Sequence, residues 1–122
     1  MGKTSEIKIN IDTNEKMIPE KISWSASDST ADMENKAKAM LLSLWDPEEK
    51  TALRIDLWTE NMMMDEMAEF FFQTLLGMAD TYEQATKYSD QAKEMKKFAQ
   101  DFLKKFQSKQ TPASKEGLDL NF

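Results

Sequence analysis

Hydrophobic and polar positions alternate over the first part of the chain. Ile7, Ile9 and Ile11 fall on one side of an extended segment and Glu6, Lys8 and Asn10 on the other, the period-2 pattern of a half-buried strand. A first strand is expected over residues 4–12. Asp12-Thr13-Asn14-Glu15 is turn-forming, and Pro19 argues against a central strand at its own position. A second strand is expected over 21–25, with Ile22 and Trp24 inward. Ser27 to Asn35 is polar and irregular and reads as a loop. The stretch from Met40 to Trp45 is apolar on both parities: Met40, Leu42 and Leu44 share one face, Leu41 and Trp45 the other, with Ser43 between them. Asp46-Pro47-Glu48-Glu49-Lys50 then supplies turn chemistry, Asp first and Pro locking φ second. Thr51 to Trp58 alternates again, with Leu53, Ile55 and Leu57 opposite Arg54, Asp56 and Trp58. The two runs predict an antiparallel hairpin.

The period then becomes helical. Met67, Phe70, Phe71, Leu75, Met78 and Tyr82 fall near one stripe over 65–82. Ser89 has the chemistry of an N-cap for a second helix, whose stripe is Ala92, Met95, Phe98, Ala99, Phe102, Leu103 and Phe106. Thr111-Pro112-Ala113-Ser114 ends it. The expected fold is α+β: a four-stranded antiparallel meander followed by two helices packed on one face of the sheet. One domain over residues 1–109 and a flexible C-terminal tail over 110–122 complete that expectation.

Composition narrows the chemistry more than the fold. With 122 residues the length suits one hydrophobic core. There is no cysteine, so disulfides, thiolate nucleophiles and zinc-thiolate sites are excluded, and a reducing cytoplasm is the expected location. There is no histidine either, which removes the commonest general base near neutral pH and the commonest transition-metal ligand. No enzyme activity and no cofactor are expected. The opening residues carry no apolar stretch behind Lys3 and read as neither signal peptide nor anchor. No window approaches the roughly 18 apolar residues of a membrane span, so no membrane insertion is expected. A net charge of −6 argues against nucleic acid. Residues 87–109 depart from that balance, with seven lysines against Asp90, Glu94 and Asp101.

Several segments together resemble a known family. They are Thr4-Ser5-Glu6-Ile7-Lys8-Ile9, Pro19-Glu20-Lys21-Ile22-Ser23-Trp24-Ser25, Ala39-Met40-Leu41-Leu42-Ser43-Leu44-Trp45-Asp46, Leu53-Arg54-Ile55-Asp56-Leu57-Trp58-Thr59, Asp65-Glu66-Met67 and Phe70-Phe71-Phe72-Gln73-Thr74-Leu75. Over about residues 4–107 the chain is similar to the gliding motility-associated protein GldC family. That resemblance implies a small accessory protein of gliding motility in bacteria of the Bacteroidetes group, associated with the membrane-linked motility protein GldB. It brings no enzymatic activity and no set of functional residues. The stretch after Lys109 is longer than the family pattern.

The residues themselves offer four candidate surfaces. If helices cover one side of the sheet, the strand from Leu41 to Trp45 presents its other side to water, and Trp58 and the stem of Arg54 join it. Leu41, Trp45, Arg54 and Trp58 are therefore the expected partner-binding residues, for a protein partner or a homo-oligomer; the bland alternative is that twist, the 27–35 loop or the tail covers them. Met62-Met63-Met64 suits an adaptable groove or, more ordinarily, gap filling where strand gives way to helix. Lys93, Lys96, Lys97 and Lys104 surround Gln100 on the polar side of the second helix, with Lys105 at the margin, and suit an acidic partner, anionic lipid headgroups or, more ordinarily, simple solvation. Asp46, Asp56, Glu48 and Glu49 lack calcium-loop spacing and read as solvated turn acids. The leading expectation is an accessory acting through protein contacts and stabilising a membrane-linked motility component. The alternative is a holdase for unfolded or exported clients, since four strands followed by two helices is also the order of the tetrameric export chaperone SecB, an analogy of fold with no shared motif.

Overall fold

The alternating and helical segments all form. The structure is a computed structural model that describes residues 2–27 and 33–110. Strands β1 (Ile7–Thr13), β2 (Pro19–Ala26), β3 (Asn35–Ala37), β4 (Ala39–Asp46) and β5 (Thr51–Trp58) precede helices α1 (Met64–Thr86) and α2 (Ser89–Gln110). The chain divides into two compact units, Met1–Met62 with the strands and Met63–Phe122 with the helices.

The expected single four-stranded meander is corrected to five strands, among the described residues, in two antiparallel sheets, β1-β2-β3 and β4-β5. The cause is β3. Asn35-Lys36-Ala37 carries no period of its own and lies where a loop was expected to end, yet it pairs with Ile22, Ser23 and Trp24 and takes the free edge of β2. The strand from Ala39 onward therefore opens a second ladder, with β5 alone.

Local chemistry sets the turns. Between β1 and β2 the Asn14 carboxamide oxygen accepts the backbone N–H of Lys16 at 2.8 Å and of Ile18 at 3.1 Å. Met17 takes the left-handed region there, at φ 64°. Pro19 is accommodated because it is the first residue of β2, opposite Thr13, where the register shifts and β3 does not reach. In the first sheet Ile7, Ile9 and Ile11 oppose Ala26, Trp24 and Ile22 on one face. Ile22, held between Ile11 and Ala37, is 1% exposed, whereas Trp24 on the same face is partly open.

The helical unit is an antiparallel hairpin. Glu66, at the third position of α1, reaches back to accept the Met63 backbone N–H at 2.9 Å and, with Asp65, places negative charge at the positive end of the helix dipole. Met63 and Met64 are exposed and Met62 is half-buried. Lys87 closes α1 in the left-handed conformation at φ 69°, its N–H donating to the Glu83 carbonyl at 2.8 Å. Ser89 is the first helical residue of α2, so the cap position expected there falls on Tyr88. The Tyr82 hydroxyl donates to the Gln91 carboxamide oxygen across the turn. Lys96 bonds Asp80 at 2.8 Å, joining the two helices. That carboxylate, through its hydrogen bond and its charge, holds the Lys96 ammonium above its ordinary pKa.

The buried seam is made of small residues: Ala68 and Ala79 on α1, Ala92 and Ala99 on α2. The larger residues of the expected stripes sit beside it, and Phe71, Met78 and Phe98 are exposed. Gly77 lies inside α1, and a methyl group there would meet nothing within 4 Å. Gly77→Ala is therefore expected to stabilise the protein by roughly 0.5–1 kcal/mol, because alanine has less freedom to lose on folding. A thermal melt followed by circular dichroism should show a higher midpoint; an unchanged or lower one would mean the site is not open.

Candidate functional site

Register brings the four residues picked from the sequence onto one face of one hairpin. Across the β4–β5 ladder Leu41 opposes Asp56, Ser43 opposes Arg54, Trp45 opposes Ala52 and Ala39 opposes Trp58. Directly opposed residues share a face, so Leu41, Trp45, Arg54 and Trp58 lie together with Asp56 between them. Trp45 is 66% exposed and Trp58 57%. They stand at opposite ends of the ladder, six residues of β4 apart, or roughly 20 Å at strand spacing.

The middle of this face is polar but internally paired. The Arg54 guanidinium is bidentate on Asp56, Nε to Oδ2 at 3.0 Å and Nη2 to Oδ1 at 2.9 Å. Both groups are open to water, so the pair itself contributes little stability. It presents a flat guanidinium–carboxylate plate between two tryptophans, the residue types that most often anchor protein interfaces.

The hairpin's opposite face is aliphatic throughout its centre: Met40 opposes Leu57, Leu42 opposes Ile55 and Leu44 opposes Leu53. Leu44, Leu53 and Ile55 are each more than half exposed. Apolar side chains therefore lie open on both faces.

Two devices hold the hairpin in shape. At the tip, Asp46 Oδ1 accepts the Glu48 N–H at 3.0 Å and lies 3.4 Å from that of Glu49, while the Lys50 N–H donates to the Asp46 carbonyl at 2.8 Å. Asp46 is thus a turn-former, Asp56 is the partner of Arg54, and Glu48 and Glu49 are exposed. At the base, Thr59 is buried; its N–H donates to the Lys38 carbonyl at 2.8 Å and its hydroxyl lies 3.1 Å from that oxygen and 2.6 Å from Asn61 Oδ1. This clasp was not visible in the sequence, where a threonine after a strand carries no signal of its own.

The lysine surface of α2 is partly neutralised. Lys96 is committed to Asp80, and Lys97 pairs with Asp101 at 3.0 Å along the same helix. On the same helix Phe98 and Phe102 stack at a tilt, ring centroids 6.4 Å apart, beside an open apolar groove that continues to Phe106. Of the tail expected over 110–122, Gln110 ends α2 and residues 111–122 lie outside the described residues. Among the described residues no helix is long and apolar enough to cross a membrane.

Comparison with known proteins adds a family. A family model described as gliding motility-associated protein GldC-like matches residues 19–108, a stretch that takes in β2 to β5, all of α1 and most of α2. No curated protein and no solved structure matches.

Proposed function

The chain belongs to the gliding motility-associated GldC-like family, and on that premise we propose that it serves motility as a non-enzymatic accessory in the cytoplasm, working through protein contacts on the tryptophan face of the β4–β5 hairpin. The observation that carries this reading is the coexistence, on one face, of two well-exposed tryptophans, Leu41 and the paired Arg54 and Asp56. Exposed aromatics around a pre-paired charge plate suit a protein partner, because burying the plate leaves no charge unmatched. The partner proposed is a membrane-linked motility component, with GldB the first to try, and the role is to stabilise or position it.

The test is a co-purification and motility assay on Trp45→Glu/Trp58→Glu. Capture of the partner is expected to fall at least about tenfold, the loss of one or two hot-spot residues, and gliding should fail while the circular dichroism spectrum stays native. Unchanged capture and unchanged gliding would remove the face from the proposal.

A second reading, a holdase of the SecB type, is favoured by exposed apolar side chains in both units, including Phe98 and Met78 as well as the hairpin. It predicts suppression of aggregation of an unfolded client at near-stoichiometric ratio. Indifference to unfolded chains would favour a dedicated partner.

A further inference from the structure

We propose that the outer edge of β5 pairs with the same edge of a second copy of this chain, antiparallel and two-fold symmetric about Ile55. In the strand-bearing unit four strands have an edge open among the described residues: β1, β3, β4 and β5. An open edge invites pairing unless it is short, bulged or charged. β3 has three residues, and β1 carries Lys8 and Asp12 and shifts register at Asp12/Thr13. β4 and β5 have eight residues each, an unbroken ladder and no proline, glycine or lysine. A two-stranded sheet is by itself marginal in water, whereas four strands with an apolar face are not.

Charge selects β5 over β4. With Ile55 on the two-fold axis, Arg54 stands opposite the partner's Asp56 and Asp56 opposite the partner's Arg54. Leu53 then meets the partner's Leu57 on the aliphatic face, and Trp58 meets the partner's Ala52 on the other. Moving the axis to residue 54 sets arginine against arginine, and moving it to 56 sets aspartate against aspartate; like charges directly opposed destabilise a ladder. Shifting one residue more takes the leucines and isoleucine out of register. β4 has only Asp46, at its end, and nothing comparable to specify a register. The product is a sheet in the order β4, β5, partner β5, partner β4, with a continuous aliphatic face and a continuous tryptophan face. This inference rests on the strand edge and not on the motility reading. A wild-type dimer that captures no motility partner would leave it standing, and a monomer that still captured one would leave that reading standing.

Solution mass of the full chain by light scattering tests it. Wild type is expected to approach twice the 14.1 kDa chain mass. Arg54→Asp and Asp56→Arg, measured separately, each set like charges against one another and should weaken association by roughly 10- to 100-fold. Mixing these two variants restores opposite charges in both positions, so a one-to-one mixture should regain the dimer mass. Hydrogen exchange on the wild type, which does not depend on how the variants fold, should show β5 amides gaining protection as concentration rises. A wild type that stays monomeric, a dimer indifferent to both substitutions, a mixture that stays monomeric, or β5 amides unprotected in the dimer would each overturn the proposal.

Discussion

Replacing Ile22 with alanine is expected to destabilise the β1-β2-β3 sheet by about 2–5 kcal/mol, the range for emptying a buried aliphatic site. Ile22 is the largest side chain among the fully buried described residues and sits on the central strand, flanked by Ile11 on β1 and Ala37 on β3. Strands on both sides leave the site little room to collapse, which places the loss toward the upper part of the range. Against a total stability of about 5–15 kcal/mol for a typical domain, that is a large fraction. The control is Ile7→Ala on the same face of the same sheet. Ile7 is 75% exposed, so its replacement should change stability by no more than about 0.5 kcal/mol. Urea unfolding followed by tryptophan fluorescence reports on this sheet through Trp24. Similar losses for the two variants would mean that alternation, rather than position on the central strand, sets the energy.

Overpacking the helical seam should do comparable damage. Ala99→Leu is expected to lower stability by about 1–3 kcal/mol, since the added carbons force off-rotamer side chains or push the helices apart. Ala99 and Ala79 are both 0% exposed, and Ala92 and Ala68 nearly so. Small side chains at these buried positions leave no room for a longer one between the helices without displacing them. Ala85→Leu, at an exposed position of α1, serves as the control and should be nearly neutral. Loss of helical circular dichroism on heating checks both, and a seam that accepted leucine at position 99 without a lower midpoint would not be close-packed there.

Much of the candidate face was readable because β parity is local. Leu41, Trp45, Arg54 and Trp58 needed only strand alternation and the Asp46-Pro47 turn to be placed together, and the ladder from Ala39–Trp58 to Asp46–Thr51 places them so. The Arg54–Asp56 pair was also within reach, being two residues apart on one strand. Which inward-facing positions close off was not. Ile7, Ile11 and Ile22 look alike in the alternation, yet only Ile22 has a strand on either side. The stripe of α2 already held Ala92 and Ala99, but that of α1 named Phe71 and Met78 and left out Ala68 and Ala79, the alanines that close its side of the seam.

By itself the sequence determined the strand and helix segments, the turns and the absence of histidine and cysteine chemistry, because each is set by residues within a few positions of one another. Only the tertiary structure decided that Asn35-Lys36-Ala37 would be a strand, that the strands would split into two sheets, and that Ala68 and Ala79 would form α1's side of the helix seam. Those outcomes depend on which distant segment supplies the other half of a ladder or the facing surface of a helix. A three-residue strand has no period to announce it, and it exists because β2 had an edge to pair.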